Sequence, residues 1–245
     1  MRLLAFVVVM LSSPAFAQFA SEQDRREALQ HYRDGQEFMS AEQFEKAAES
    51  FQKAVDKDRL LTLAHYALGQ AYMSQRRFAS AVQAFTNCRE AYRELHGLSE
   101  KDRVAVERQR DDEIRELKDT VRRLQGMNAQ RQFDLRVTKV EARIQELERQ
   151  RTSNQAVFVP PAEVSLALGS AYFRNDQFPD AEREWKAAVA ANPKLGEAHN
   201  NLAALYAVTG RKKEAEEAIK AAERAGFRVH PKLKEDVKRL PSSTT

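Results

Sequence analysis

Two consecutive stretches decide the fold. Residues 28–61 read ALQHYRDGQEFMSAEQFEKAAESFQKAVDKDRLL, and residues 62–95 read TLAHYALGQAYMSQRRFASAVQAFTNCREAYREL. Set one above the other at an offset of 34, Gly35 falls over Gly69 and Phe38 over Tyr72. Phe44 falls over Phe78, Ala47 over Ala81, Phe51 over Phe85 and Ala54 over Cys88. Small residues meet small ones and large residues meet large ones. Within each stretch the apolar residues step by three and four, so each reads as a pair of helices with one apolar face. Gly35 lets the two helices of the pair approach closely, with Phe38 filling the space beside it. Ala47 and Ala54 are small contact points flanking the large knob Phe51.

The pattern returns further along. Residues 162–195 carry Gly169, Tyr172, Phe178, Ala181, Trp185, Ala188 and Pro193 at the same places. Residues 196–229 match more loosely, with Ala203, Tyr206, Ala215, Ile219 and Ala222. One helical hairpin cannot bury its apolar face alone, so stacked neighbours must share a continuous core, closed at the end by a cap. Residues 230–245 supply that cap: Pro231 can open a helix, and Leu233, Val237 and Leu240 share a face.

These residues resemble the signature positions of the tetratricopeptide repeat family. The resemblance spans units 1 and 2 (28–95), units 3 and 4 (162–229) and the cap. It implies an all-α solenoid of helical hairpins whose concave face binds a peptide or helix of another protein. The departures are specific. His31, His65 and His199 stand where the family often has Trp, and the fourth unit has Ala203 for Gly and Lys212 for an aromatic.

The resemblance also implies which residues face the groove. In unit 1 these are Leu29, Tyr32, Gln36, Met39 and Ser40; in unit 2 they are Leu63, Tyr66, Gln70, Met73 and Ser74. The two sets are identical, although the units differ at many other places. A duplication without selection on that face would leave the same trace. As a binding surface it offers adaptable apolar area from Leu and Met and hydrogen bonds from Tyr and Gln. An apolar or helical partner segment suits it better than an acidic tail. The Lys and Asn by which clamp-type members hold a C-terminal carboxylate are replaced by Tyr32, Tyr66, Gln36 and Gln70.

The interval 96–161 interrupts the repeats. Between Ser99 and Arg151 it holds 14 basic and 12 acidic side chains. Two apolar ladders run through it, Ile114-Leu117-Val121-Leu124 and Phe133-Val137-Val140-Ile144-Leu147, both with coiled-coil spacing. Gly126-Met127-Asn128 is the turn-like break between arms of similar length. The expectation is an inserted antiparallel coiled-coil hairpin that returns the chain to its point of departure, so that unit 3 docks on unit 2. The alternative is a single unbroken helix from Ser99 to Arg151, since one glycine costs a helix only about 1 kcal/mol. Val157-Phe158-Val159 should be extended ahead of Pro160-Pro161.

The start of the chain reads as an export signal. Met1-Arg2 is followed by an apolar run from Leu3 to Leu11 and by the small-x-small triplet Ala15-Phe16-Ala17. That layout predicts cleavage after Ala17 and a periplasmic or secreted protein whose residues 18–27 lead into the first unit. The apolar run is too short to be a permanent membrane anchor. A single cysteine, Cys88, excludes a disulfide framework, and eight glycines exclude collagen-like chains.

Catalytic chemistry finds little support. Cys88 sits at a place that is Ala54 and Ala188 in other units and reads as a small buried hydrophobe. His31 and His65 occupy equivalent places on adjacent units, farther apart than one metal ion can bridge, so no metal or other cofactor is expected. The basic residues of 99–151 alternate with acids and lack aromatic stacking platforms, which speaks against nucleic acid. The sequence therefore predicts a non-enzymatic interaction scaffold or adaptor. The runner-up is a structural spacer that oligomerises through residues 99–151.

Overall fold

The computed structural model describes residues 19–97, 103–127, 135–150 and 158–241. The export signal, the cleavage point after Ala17, Asn128 and Phe133 lie outside the described residues. So do Val157 and the tail beyond residue 241. Gly126 and Met127, expected in the turn, are still helical. Among the described residues there are eleven helices and no strand. Unit 1 is α1 (Glu22–Ser40) and α2 (Phe44–Lys57), and unit 2 is α3 (Thr62–Ser74) and α4 (Phe78–Gly97). The insertion holds α5 (Arg103–Met127) and α6 (Leu135–Gln150). Unit 3 is α7 (Ala162–Arg174) and α8 (Phe178–Ala191), and unit 4 is α9 (Gly196–Val208) and α10 (Lys212–Arg224). The cap is α11 (Pro231–Arg239), which packs on α10 and α9. It buries Val237, and its N-terminus is capped by the His230 ring, whose Nδ1 accepts from the Lys232 amide at 3.2 Å.

The repeated glycine is explained by a ring on the opposite helix. A Cβ on Gly69 would stand 2.5 Å from Phe85 Cε1, and one on Gly169 would stand 2.6 Å from Trp185 Cδ1. The ring that needs the glycine is thus the knob of the second helix, not the aromatic three residues on. Trp185 gains a polar anchor as well, donating from Nε1 to the Leu166 carbonyl at 3.1 Å. Ala47, Ala54, Ala81, Cys88, Ala181 and Ala188 have no exposed surface, so the small places allow tight contact between helices.

The turn inside each hairpin repeats too. Glu42, Arg76, Asp176 and Gly210 all have positive φ, between 56° and 72°. The residue after each donates its amide to a carbonyl five residues back: Gln43 to Phe38, Arg77 to Tyr72, Gln177 to Tyr172 and Arg211 to Tyr206, at 2.8–2.9 Å. This closes the first helix with a left-handed cap, a conformation that glycine adopts most readily. Three of the four turns use other residues, so the sequence carries no glycine to mark them.

The units form one continuous stack. α2 packs on α3, α4 on α7 and α8 on α9. Unit 3 therefore docks on unit 2 despite the insertion between them. The joint buries Phe85 and Ala81 against Leu168 and Ala171, with Tyr66 and Met73 alongside. An ion pair between Arg89 and the buried Glu184, at 2.9 Å, ties α4 to α8. The chain leaves the stack at Gly97 and is back beside it at Phe158. The Phe158 ring lies 5.6 Å from the His96 ring and under the Arg93 guanidinium.

Candidate functional site: the inner face

The first helices of adjacent units touch each other, α1 with α3 and α7 with α9, and so line the inner face of the stack. This face divides into two unlike halves.

Over units 1 and 2 the face is covered by α5 and α6, which pack against each other. Ile114, Leu117, Ile144 and Leu147 join one buried cluster with Tyr32, Leu63 and Ala67. Leu29, Met39, Val121 and Val140 pack at its margin. Polar side chains tie the edges. Arg25 Nε lies 3.2 Å from Asp112 Oδ2, and Arg33 Nε donates to Glu116 Oε2 at 3.2 Å. Thr62 donates to Glu113 Oε2 at 3.1 Å, and Tyr92 donates to Glu113 Oε1 at 3.0 Å. Arg143 completes that knot, donating to Glu113 Oε1 at 3.1 Å with its guanidinium 4.8 Å from the Tyr92 ring centroid. Burial opposes the Arg143 charge, but Tyr92, Glu113 and Glu163 outweigh it and raise its pKa, so the guanidinium stays charged. Gln109 donates to the Leu60 carbonyl, and Lys139 reaches Glu197 of α9 at 2.5 Å.

This placement settles what surrounds each groove residue named from the sequence. Tyr32 is only 4% exposed, stacked at a tilt on Phe51 and accepting a hydrogen bond from Gln36 at 2.9 Å. Burial pushes its phenol pKa well up. Leu63 is buried, while Leu29, Gln36, Met39 and Tyr66 are half-buried. Gln70 is exposed, and Met73 reaches the other half of the face.

Over units 3 and 4, which α6 reaches through Lys139, the described residues leave a recess in the face. A cavity of about 320 Å³ is lined by Met73 and Phe78 of unit 2, Ser170, Phe173, Arg174 and Trp185 of unit 3, and Asn201 and Ala204 of unit 4. The Arg174 guanidinium lies 5.1 Å from the Phe78 ring centroid. Val208, at the end of α9, is 63% exposed. Ser170, Phe173 and Arg174 occupy the places of Gln36, Met39 and Ser40 in unit 3. The repeat offset points to them, but they differ in kind from the unit 1 and 2 set and so escape a search for repetition. The cavity has apolar walls, one cation and one carboxamide. It can hold an apolar side chain and pair a carboxylate.

Two of the three histidines at the repeated place lie against a backbone carbonyl. His65 Nε2 lies 2.9 Å from the Arg59 carbonyl, and His199 Nε2 lies 3.1 Å from the Pro193 carbonyl, the same register in units 2 and 4. The buried Cys88 thiol donates to the Thr62 carbonyl at 3.4 Å, and burial pushes its pKa far up. Among the described residues no group of three or more His, Cys, Asp or Glu could hold a metal ion. Among them, no helix is long and apolar enough to cross a membrane.

Helical hairpins stacked in register, with first helices inside and second helices outside, define a superhelical repeat protein. The family model for the tetratricopeptide repeat matches residues 32–93 and 166–226, half of the chain, and the chain belongs to that family. Its members generally mediate protein–protein or peptide binding. Among solved structures the chain is similar to that of MamA, at 16% identity with a TM-score of 0.51, covering 84% of this chain and 81% of MamA. It is also similar to PilW, described as a widely conserved type IV pilus biogenesis factor, at 15% identity and a TM-score of 0.37, covering 86% of each chain. A thermophilic TPR protein of Thermus thermophilus matches at 18% identity and a TM-score of 0.35, covering 86% of this chain and 97% of that one. At such identity the likeness to MamA concerns the fold alone. No curated protein matches the sequence.

Proposed function

We propose that this protein is an exported interaction scaffold that binds a peptide or helix of another protein in its inner groove, and that it is not an enzyme. The observation that carries the reading is the open cavity over units 3 and 4, where Phe173, Trp185, Met73 and Phe78 present apolar surface beside Arg174 and Asn201. Aromatic and arginine anchors in concave pockets are where binding energy concentrates. Met73 belongs to both the groove set and this cavity, and Gln70 lies exposed one turn before it on α3. The oligomerising spacer loses support, because Ile114, Leu117, Ile144 and Leu147 are already buried within the chain. Export rests on the pattern of residues 1–17, and the protein recovered from its native host should begin at Gln18.

A photo-crosslinking residue tests the groove. Placed at Ser170, inside the cavity, it should capture a specific partner in the native compartment. Placed at Lys186, on the exposed outer side of α8, it should not. Capture from Lys186 with none from Ser170 would move the binding surface to the outer helices.

A further inference from the structure

We propose that the α5–α6 pair is a displaceable occupant of the inner face of units 1 and 2, and that the face beneath takes an amphipathic partner helix carrying acidic residues beside apolar ones. The inference rests on the reading of the inner face as a binding surface.

The occupant shows what the face recognises. α5 presents Ile114 and Leu117 to the apolar floor and Asp112, Glu113 and Glu116 to a polar rim. The rim consists of Arg25, Arg33, Thr62 and Tyr92, supplied by α1, α3 and α4. A helix laid in a groove through apolar anchors, with charge fixing its register, is a recurring mode of protein recognition.

Three observations make the occupant separable from the fold. First, α4 packs directly on α7, so the stack is complete without the insertion. Second, the backbones stay apart. The helices of the stack run close to their neighbours, and α5 and α6 run close to each other but hardly to the stack. Long side chains make the contact. Third, the contact buries Gln109, Glu113, Glu116 and Arg143 along with its four apolar residues, whereas the joint between units 2 and 3 rests on Phe85, Leu168 and alanines with the single ion pair Arg89–Glu184. Desolvation cancels most of the attraction in a buried ion pair, so this docking is weaker than its contacts suggest. It is also intramolecular, with an effective concentration on the order of millimolar for a short tether. A free partner helix must overcome that competition, and its apparent affinity is the intrinsic one multiplied by the fraction of time the face is open.

The test uses the full chain and a labelled synthetic peptide of residues 103–127. The parent should bind the peptide weakly. Glu113→Lys with Glu116→Arg should release the resident helices and tighten peptide binding about tenfold or more, while the far-UV spectrum stays helical. Adding Arg33→Glu should remove the gain, and so should Asp112→Asn, Glu113→Gln and Glu116→Gln in the peptide. Peptide affinity unchanged by release would overturn the proposal, as would tight binding that ignores Arg33. Hydrogen exchange on the unaltered parent gives an independent reading, should the double variant misfold. Amides of α5 and α6 should exchange at least tenfold faster than those of α7 and α8, and equal protection would make the pair a fixed part of the core. Failure of crosslinking from Ser170 sinks the inner face as a binding surface, whereas failure of peptide release sinks only the displacement.

Discussion

The inner face of units 1 and 2 and that of units 3 and 4 share one backbone register but have opposite fates. The first is lined by Tyr32, Leu63 and Met39 and is closed by helices of the same chain. The second is lined by Ser170, Phe173 and Arg174 and, among the described residues, keeps an open cavity. The outer helices show no such split: Phe51, Phe85 and Trp185 sit over their glycines in the same way. The stacking surfaces therefore set the fold, and the inner positions are left to vary. Where they offer adaptable apolar area twice over, the chain brings its own ligand to them. Where they differ in kind and carry a cation, a recess remains.

The strongest challenge to this picture is to cut the joint between the halves. Phe85→Ala should destabilise the protein by about 3–5 kcal/mol, because the ring is fully buried between units 2 and 3. Thermal melting should show a single transition moved down by many degrees. Two separated transitions would mean that the halves fold independently.

A lesser effect is expected at the insertion. Glu113→Ala leaves the buried Arg143 without its carboxylate and should cost about 3 kcal/mol. Adding Arg143→Met should recover most of that loss. The damage should appear in the exchange of α5 and α6 and leave α9 and α10 untouched. Equal loosening of α9 would erase the distinction between a covered half and a free one.

Acid should loosen the covered half first. Burial pulls the His65 imidazole below its ordinary value of 6.5, despite an opposing hydrogen bond with the Arg59 carbonyl. The folded chain then binds fewer protons at this site than the unfolded chain. Its contribution is intact above about pH 6.5 and is lost as pH falls below that value. Melting between pH 7.5 and 5 should show this slope, and His65→Gln should flatten it. An unchanged slope in that variant would show that other groups set the dependence.

The smallest change in stability belongs to the open half. Val208→Ser alters an exposed side chain and should shift stability by less than about 0.5 kcal/mol. It should nonetheless weaken partner capture from Ser170. A change in melting without any change in capture would reverse the roles assigned to the two halves.

The repeats are legible because stacking requires small and large residues at fixed places, and an offset comparison exposes such places. The docking of unit 3 on unit 2 has a different source, the similar length of the two arms of the insertion, which returns the chain to the stack. The ring beside Gly35 is not. The sequence points to Phe38, three residues along the same helix, whereas Phe51 fills that role. A pattern within one helix does not reveal a contact across to the next. The left-handed residues Glu42, Arg76 and Asp176 are invisible because the hydrogen bonds of the turn, not a glycine, hold them there. The ladder Ile114-Leu117 and Ile144-Leu147 is plain to see, but an apolar ladder does not say what covers it. Its spacing suits another coiled-coil strand, and it lies equally well on Tyr32 and Leu63. The open cavity is hidden for the opposite reason, since its residues repeat nothing.

The contact of Phe158 with His96 has a consequence for how such a chain can change over time. The insertion begins and ends at nearly the same point on the stack, so it behaves as a cassette hung from a single hinge post. The entropy of closing such a loop rises only by about 0.6 kcal/mol for each doubling of its length. Segments of quite different size and character could therefore occupy this position while the superhelix keeps its pitch. One ancestral array could thus have been fitted with many different plugs.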